Sequence, residues 1–217
     1  MKTDTQLRDD VMAELNWDPA VKANDIGVIA KDGVVTLTGH LSSYAEKYAV
    51  ERAVQRVSGV KALAIEMKVQ LAAAYERTDT DIALAAERAL QWNVLVPDDK
   101  VRPMVERGWI TLNGEVAWDY QRSAAEKAVR DLLGVVGVTN LVKVVPQVTA
   151  DDVKKSIHDA LVRQADRESK SVEISVDGSK VTLKGKVHSW AERTAAQGAA
   201  WSAPGVATVI NNLVVEA

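Results

Sequence analysis

The stretch Gly33-Val34-Val35-Thr36-Leu37-Thr38-Gly39 occurs three times in this chain with small changes. The second copy reads Gly108-Trp109-Ile110-Thr111-Leu112-Asn113-Gly114, and the third reads Ser179-Lys180-Val181-Thr182-Leu183-Lys184-Gly185. Aliphatic residues alternate around a Thr in each copy, a pattern typical of a β-strand with one buried face, and a Gly stands where we expect the strand to end. Because the flanking segments repeat as well, the chain is one unit of roughly 70 residues written three times.

Each copy predicts the order helix, strand, strand, helix, strand. In copy one Leu7, Val11 and Leu15 recur every four residues, which indicates one face of a helix. A short alternating run and a tight turn then lead into the repeated stretch. The Ser43-x-x-Glu46 pattern is typical of a capping box that opens a second helix. The residues equivalent to the first helical face are Ile82, Ala86 and Leu90 in copy two, and Val153, Ile157 and Leu161 in copy three.

The element order predicts an α+β fold of three tandem two-layer sandwiches. The hairpin is antiparallel, and the strand–helix–strand crossover should be right-handed and parallel, so each sheet is mixed and three-stranded. Two helices suffice to cover one face of such a sheet. We place the domains at residues 1–72, 76–146 and 149–217. The linkers are short, and Ala72-Ala73-Ala74 could continue as helix, so we expect restricted relative motion.

Copy two departs from the pattern at two positions. Pro103 cannot donate to a strand ladder, so the first strand should be irregular there or leave that position unpaired. The second helix lacks the Ser, so we expect Asp119 to cap it one residue later. Six glycines are assigned to structural turns, at the ends of the central strand (Gly39, Gly114, Gly185) and of the second helix (Gly59, Gly134, Gly205).

Composition excludes several classes of protein. The net charge is −3, and no copy carries more basic than acidic residues, so we expect no nucleic-acid partner. Cysteine is absent, which excludes disulfides and thiolate metal sites. The N-terminus has no signal-like apolar segment and no stretch predicts a transmembrane segment, so as written the chain is expected in the cytoplasm. A periplasmic location is expected instead if a signal peptide has been removed.

No pattern of catalytic residues is present. The nucleophile elbow and the glycine-rich phosphate loops are missing, and the three histidines, His40, His158 and His188, fall in different copies. We therefore expect no catalytic residues, no metal and no cofactor, and a protein that is not an enzyme.

The repeat resembles the BON family, the bacterial OsmY and nodulation domain. The resemblance is carried by Val35-Thr36-Leu37-Thr38-Gly39 and its two counterparts, by the Gly-Val pairs that follow the second helix, and by the Val-x-Asn that opens the last strand at Asn140 and Asn211. Copy one has Ile65 at the Asn position. The resemblance implies a non-enzymatic bacterial binding protein, linked to osmotic or envelope stress, whose partner is phospholipid headgroups. It also implies potassium or small-ion binding as an alternative, although the chain lacks the LysM-like segment that accompanies that role.

One set of residues near the start of the second helix could contact lipid. Trp and Tyr suit a membrane interface because they have an apolar body and a polar tip, and nearby basic side chains could meet phosphate. The alternative is that the rings pack the helix onto the strand. The candidates are Tyr44, Lys47, Trp118, Tyr120, Arg122, Trp190 and Arg193.

Two sheet faces carry further hypotheses. Lys180, Lys184 and Lys186 form a stripe that could bind anionic lipid, although a solvated face is the simpler interpretation. On the same face of copy two the apolar residues Met104, Trp109 and Leu141 predict an interface with another copy or a second chain. A homo-oligomer, and a self-assembling scaffold built through this face, are therefore alternatives to lipid binding.

Overall fold

The structure, a computed structural model, describes residues 2–145, 172–203 and 205–215. Copy one contains α1 (Asp4–Trp17), β1 (Ile26–Lys31), β2 (Val34–Leu41), α2 (Tyr44–Arg56) and β3 (Ala62–Val69). Copy two contains α3 (Asp79–Gln91), β4 (Val101–Glu106), β5 (Trp109–Val116), α4 (Asp119–Arg130), β6 (Gly137–Asn140) and β7 (Lys143–Val144). Copy three contains β8 (Val172–Asp177), β9 (Lys180–Val187), α5 (Trp190–Trp201) and β10 (Thr208–Val215). The first helix predicted for copy three, with Val153, Ile157, Leu161 and His158, lies outside the described residues.

The central strand of each copy lies in the middle of its sheet, with the order β1-β2-β3, β4-β5-β6 and β8-β9-β10. The hairpin strands pair antiparallel in all three copies. The last strand pairs parallel to the central strand in copies two and three. The predicted α+β fold of three tandem domains with mixed sheets is confirmed.

The helices place their apolar stripes on one face of the sheet. In copy one Leu7, Val11 and Leu15 of α1 are buried against Val35 and Leu37 of β2. In copy two, buried residues of α3 and α4 belong to the same cluster as Ile110 and Leu112 of β5. Burying these aliphatic side chains drives the folding of each copy, at roughly 1.5–3 kcal/mol for each fully buried large side chain.

The sequence predicts that the glycine of the repeated stretch ends the central strand. In the structure the strand continues past this glycine. β2 continues to Leu41, and Gly39 lies inside it with φ +134°. A Cβ at Gly39 would overlap the backbone oxygen of Asp25, and one at Gly114 would overlap that of Lys100. The glycine is therefore required because the backbone that enters the first strand passes directly over this position.

The glycines after the second helix adopt the left-handed conformation. Gly59, Gly134 and Gly205 have φ values of +94°, +87° and +81°. The helices α2 and α4 end at Arg56 and Arg130, a few residues before the glycine. The glycine therefore turns the chain into the last strand rather than ending the helix directly.

In copy two, β4 runs without interruption through Pro103. Because β4 is an edge strand, the missing N–H can stay unpaired at the free edge, which is the second of the two outcomes expected for Pro103. The expectation for Asp119 is wrong. Asp119 is the first residue of α4 rather than its cap. The cap position belongs to Trp118, whose N–H, with that of Ala117, donates to Oε1 of Gln121 at 3.1 Å.

The chain divides into two compact units. One contains copy one without Ser42–Ala45, together with the described part of copy three. The other contains Ser42–Ala45 and copy two. Between Leu71 and Thr78 the chain forms a single 3₁₀ turn, Ala73–Tyr75, instead of a continuing helix.

Candidate binding surfaces

Tyr44 is the first residue of α2, and its side chain is half-buried. It groups with copy two and packs against the core of that copy. Its ring also lines a cavity of about 390 Å³, together with Leu71, Tyr75 and the turn that follows α4. The ring therefore contributes to packing and is only partly available to a ligand.

Trp190 is the first residue of α5, and it packs against the core of copy one. The guanidinium of Arg193 lies over the indole, 4.9 Å from the ring centroid. Arg193 also donates to the backbone oxygens of Asn211 at 3.0 Å and Leu213 at 3.2 Å. The indole N–H of Trp190 is buried and has no hydrogen-bond partner within the described residues. Both side chains are thus engaged inside the protein.

The aromatic pair of copy two is more open. Trp118 is half-buried, while Tyr120 is 54% exposed. Arg122 forms an ion pair with Asp119. Among the aromatic candidates from the sequence, Tyr120 has the ring most accessible to a partner.

Lys47 lies beside a partly buried carboxyl in copy one. Burial raises the pKa of Glu51, and the positive charge of Lys47 partly offsets this by lowering it. Lys47 itself is half-buried. Its charge therefore acts on a residue of the same helix as well as facing solvent.

The two most exposed tryptophans of the described chain were not among the candidates from the sequence. Trp17 ends α1 with 83% of its surface exposed, and Trp92 follows α3 with 90% exposed. Trp92 is followed by Val94, 96% exposed, and by Leu95, half-exposed. The two tryptophans occupy equivalent positions, 75 residues apart, and that spacing is the signal that could have found them.

The exposed tryptophans lie at a defined end of their sheets. β4 begins at Val101, which pairs with Gly114 near the end of β5. The loop that carries Trp92 enters β4, and the helix that carries Tyr120 leaves β5, so both lie at this end of copy two. Trp17 has the same place in copy one, where β1 begins. The same end of two copies therefore presents large apolar groups to solvent.

The lysine stripe of copy three has acidic neighbours. Glu173 is the cross-strand partner of Lys184, and Asp177 is that of Lys180. Opposite charges directly across an antiparallel pair offset each other. The stripe is therefore a weaker anion-binding surface than the central strand alone suggests.

The outer face of the copy-two sheet is apolar and open within the described chain. Trp109 is 42% exposed, and Met104 and Leu141 are each more than half exposed. The indole N–H of Trp109 donates to Oγ1 of Thr139 at 2.8 Å, which fixes the ring on the sheet. A shallow groove of about 320 Å³ lies between Met104, Trp109 and Arg107.

The asparagine of the Val-x-Asn motif has a structural role. Nδ2 of Asn140 donates to the backbone oxygen of Arg122 at 2.9 Å and to Oε2 of Glu126 at 3.2 Å. Asn211 makes the same pair of bonds to Arg193 and Gln197, at 3.3 Å and 3.2 Å. Each asparagine also accepts the N–H two residues ahead. The motif therefore fastens the last strand to the second helix.

These features define a class of protein, a tandem array of small two-layer α+β domains with exposed apolar ends. The sequence pattern of the BON domain matches residues 3–70, 78–146 and 149–217. The chain therefore belongs to the BON domain family and carries three tandem copies, which confirms the predicted resemblance. Among curated proteins there is no match.

Two solved structures are similar to this chain, both of CdsD, a structural protein of the type III secretion system of Chlamydia trachomatis. One is 17% identical, with 96% of this chain and 91% of that chain covered and a TM-score of 0.24. The other, described as the C-terminal domain, is 16% identical with all of both chains covered and a TM-score of 0.25. At these TM-scores the similarity carries no conclusion.

Among the described residues, no helix has the length and apolar character needed to cross a bilayer.

Proposed function

We propose that this protein is a non-enzymatic binding protein of the BON family that contacts phospholipid surfaces through the exposed ends of its first two copies. The observation that supports it is the repeated exposure of Trp17 and Trp92 at one position, each more than four-fifths accessible. An exposed Trp loses little by leaving water for the headgroup region, because the indole has an apolar body and a polar N–H. Val94 and Leu95 extend the apolar surface beside Trp92.

The charges around Trp92 favour contact through apolar groups over contact through charge. Asp98 and Asp99 follow in the same loop, with a single Lys100 beside them. The net charge of the chain is −3. Electrostatic attraction of the protein to anionic lipid is therefore weak. We propose that the apolar side chains enter the interfacial region of the bilayer, rather than that a basic site on the protein binds the headgroups.

Vesicle flotation of the full chain tests this proposal. We expect flotation with neutral phosphatidylcholine vesicles that changes little when salt is raised, because burial of apolar surface is not screened. A Trp17→Ala/Trp92→Ala double variant should lose most of the bound fraction, since burying a large apolar side chain is worth about 1.5–3 kcal/mol, or roughly tenfold or more in partitioning.

Leu133→Ala is the matched control. Leu133 is half-exposed in the turn after α4, at the opposite end of the copy-two sheet, so its loss should leave flotation unchanged. Thermal melting of the chain in sodium and in potassium buffer tests the alternative of potassium binding. That alternative predicts a melting temperature that depends on potassium. Absence of flotation under every condition contradicts the lipid proposal.

A second candidate function is assembly of a scaffold through the outer face of the copy-two sheet. It is favoured by the ordered, half-exposed Trp109 with Met104 and Leu141 beside it. Exposed contiguous apolar surface on a folded protein commonly marks an interaction site. Self-association through this face does not require lipid.

A further inference from the structure

The first residue of the second helix differs in chemistry between the copies. Asp119 lies 75 residues after Tyr44, and Trp190 lies 71 residues after Asp119, so the three positions are equivalent. Each residue begins its helix, α2, α4 or α5. Two copies thus have an aromatic ring at this position and the middle copy has a carboxylate.

The two rings make the same type of contact. Tyr44 packs against the core of copy two, and Trp190 packs against the core of copy one. Among the residues that the structure describes, neither ring packs into the core of the copy to which it belongs by sequence. In both copies the first residue of the second helix therefore reaches into a different copy.

The carboxylate of Asp119 is used differently. It pairs with Arg122, three residues ahead on the same helix. The equivalent arginine in copy three, Arg193, lies over the ring of Trp190. The same helical neighbour thus holds a docking ring in copy three and neutralises a carboxylate in copy two. Moving an ionised carboxylate into an apolar core is far more costly than moving a ring, so Asp119 is unsuited to this contact.

From these contacts we infer that the first residue of the second helix is the specificity-determining residue for docking between BON copies of this chain. An aromatic residue here binds the core of another copy, whereas aspartate prevents that contact. The partner of Trp190 is copy one of the same chain. This interaction surface is independent of the proposed lipid contact, because it uses different residues.

Fluorescence energy transfer within the full chain tests the inference. The chain has no cysteine, so Lys31→Cys in copy one and Ser179→Cys in copy three give two unique, exposed labelling sites. Trp190→Asp introduces the residue that copy two has at this position. It should lower the transfer efficiency and increase the radius of gyration in solution scattering. Trp190→Tyr introduces the residue that copy one has at this position. It should keep both values close to those of the parent.

Tyr120→Asp is the matched control, because it places a carboxylate near the start of α4 at an exposed ring and should not change the efficiency. Far-UV circular dichroism checks folding, and Trp190→Gln replaces Trp190→Asp if the latter loses helical signal. Unchanged efficiency and radius in a folded Trp190→Asp or Trp190→Gln variant overturn the inference. So does a Trp190→Tyr variant that separates the two copies as fully as Trp190→Asp.

Discussion

Glu51 is a partly buried carboxyl that lacks the amide partner of its equivalents. At the same position Glu126 accepts from Asn140, and Gln197 accepts from Asn211. Copy one has Ile65 where those asparagines stand. Burial consequently raises the pKa of Glu51 above its ordinary value of 4.5.

The raised pKa of Glu51 predicts a pH-dependent effect of Glu51→Gln. The folded state binds this proton more tightly than the unfolded state, so the folded protein loses stability as pH rises from about 4.5 through the raised pKa. The neutral glutamine avoids that loss. We expect the variant to melt at a higher temperature than the parent at pH 7, and the two to converge below about pH 4.5.

Glu126→Gln serves as the control for that comparison, because copy three shows that glutamine keeps the bond to the asparagine. It should change melting little at either pH. A Glu51→Gln variant whose advantage is independent of pH would contradict the assignment to ionisation.

Gly114 predicts a steric effect at the residue scale. A Cβ there would overlap the backbone oxygen of Lys100, and the φ of +146° is unfavourable for other residues. We expect Gly114→Ala to lower the free energy of unfolding by about 2 kcal/mol or more. Gly178→Ala, with φ +58° and open space around it, should cost only about 1 kcal/mol, from the backbone alone. Equal denaturation midpoints for the two variants would show that the close approach is not limiting.

At the scale of elements, the last strand depends on side-chain bonds as well as on pairing. In copy two it is divided into β6 and β7, both of which pair with β5. Asn140 lies at the division, where it bonds to α4 and to the N–H of Val142. The pattern of the sequence predicts one continuous strand there. In copy three Asn211 makes the same bonds inside the continuous strand β10, so these bonds alone do not divide the strand.

Asn140→Ala should therefore destabilise copy two. It removes three hydrogen bonds at a partly buried site, for an expected loss of about 1–3 kcal/mol in urea denaturation. Ile65→Ala in copy one is the matched control, because the half-exposed isoleucine makes none of these bonds and should cost less. An equal loss for both would assign the effect to burial alone.

At the scale of the whole molecule, the outer face of copy two predicts association. If Trp109 lies in an interface between chains, Trp109→Asp should lower the apparent mass at high protein concentration, because an ionised carboxylate cannot be buried without a partner. Concentration-dependent light scattering measures this. Thr111→Asp places a carboxylate on the same face of β5 but keeps the Trp109 ring, so comparing the two variants shows whether association depends on the ring or on the wider face. A Trp109→Asp variant with unchanged association and stability would remove the scaffold candidate.

The sequence by itself determined the threefold repeat, the α+β class, the order of elements and the buried faces of α1 and α3. These follow from local periodicity and from turn residues, which are properties of neighbours along the chain. Val35 and Leu37, for example, had to face a core because they alternate with polar residues on one strand.

Only the tertiary structure decided what happens to the side chains at the ends of these elements. Tyr44, Trp118, Tyr120 and Trp190 looked alike in sequence, yet Tyr44 and Trp190 pack into other copies while Tyr120 faces solvent. Trp17 and Trp92, which resemble ordinary core residues at helix ends, are almost fully exposed. The physical reason is that burial at the end of an element depends on which distant part of the chain packs against it. The local periodicity of the sequence does not encode that long-range packing.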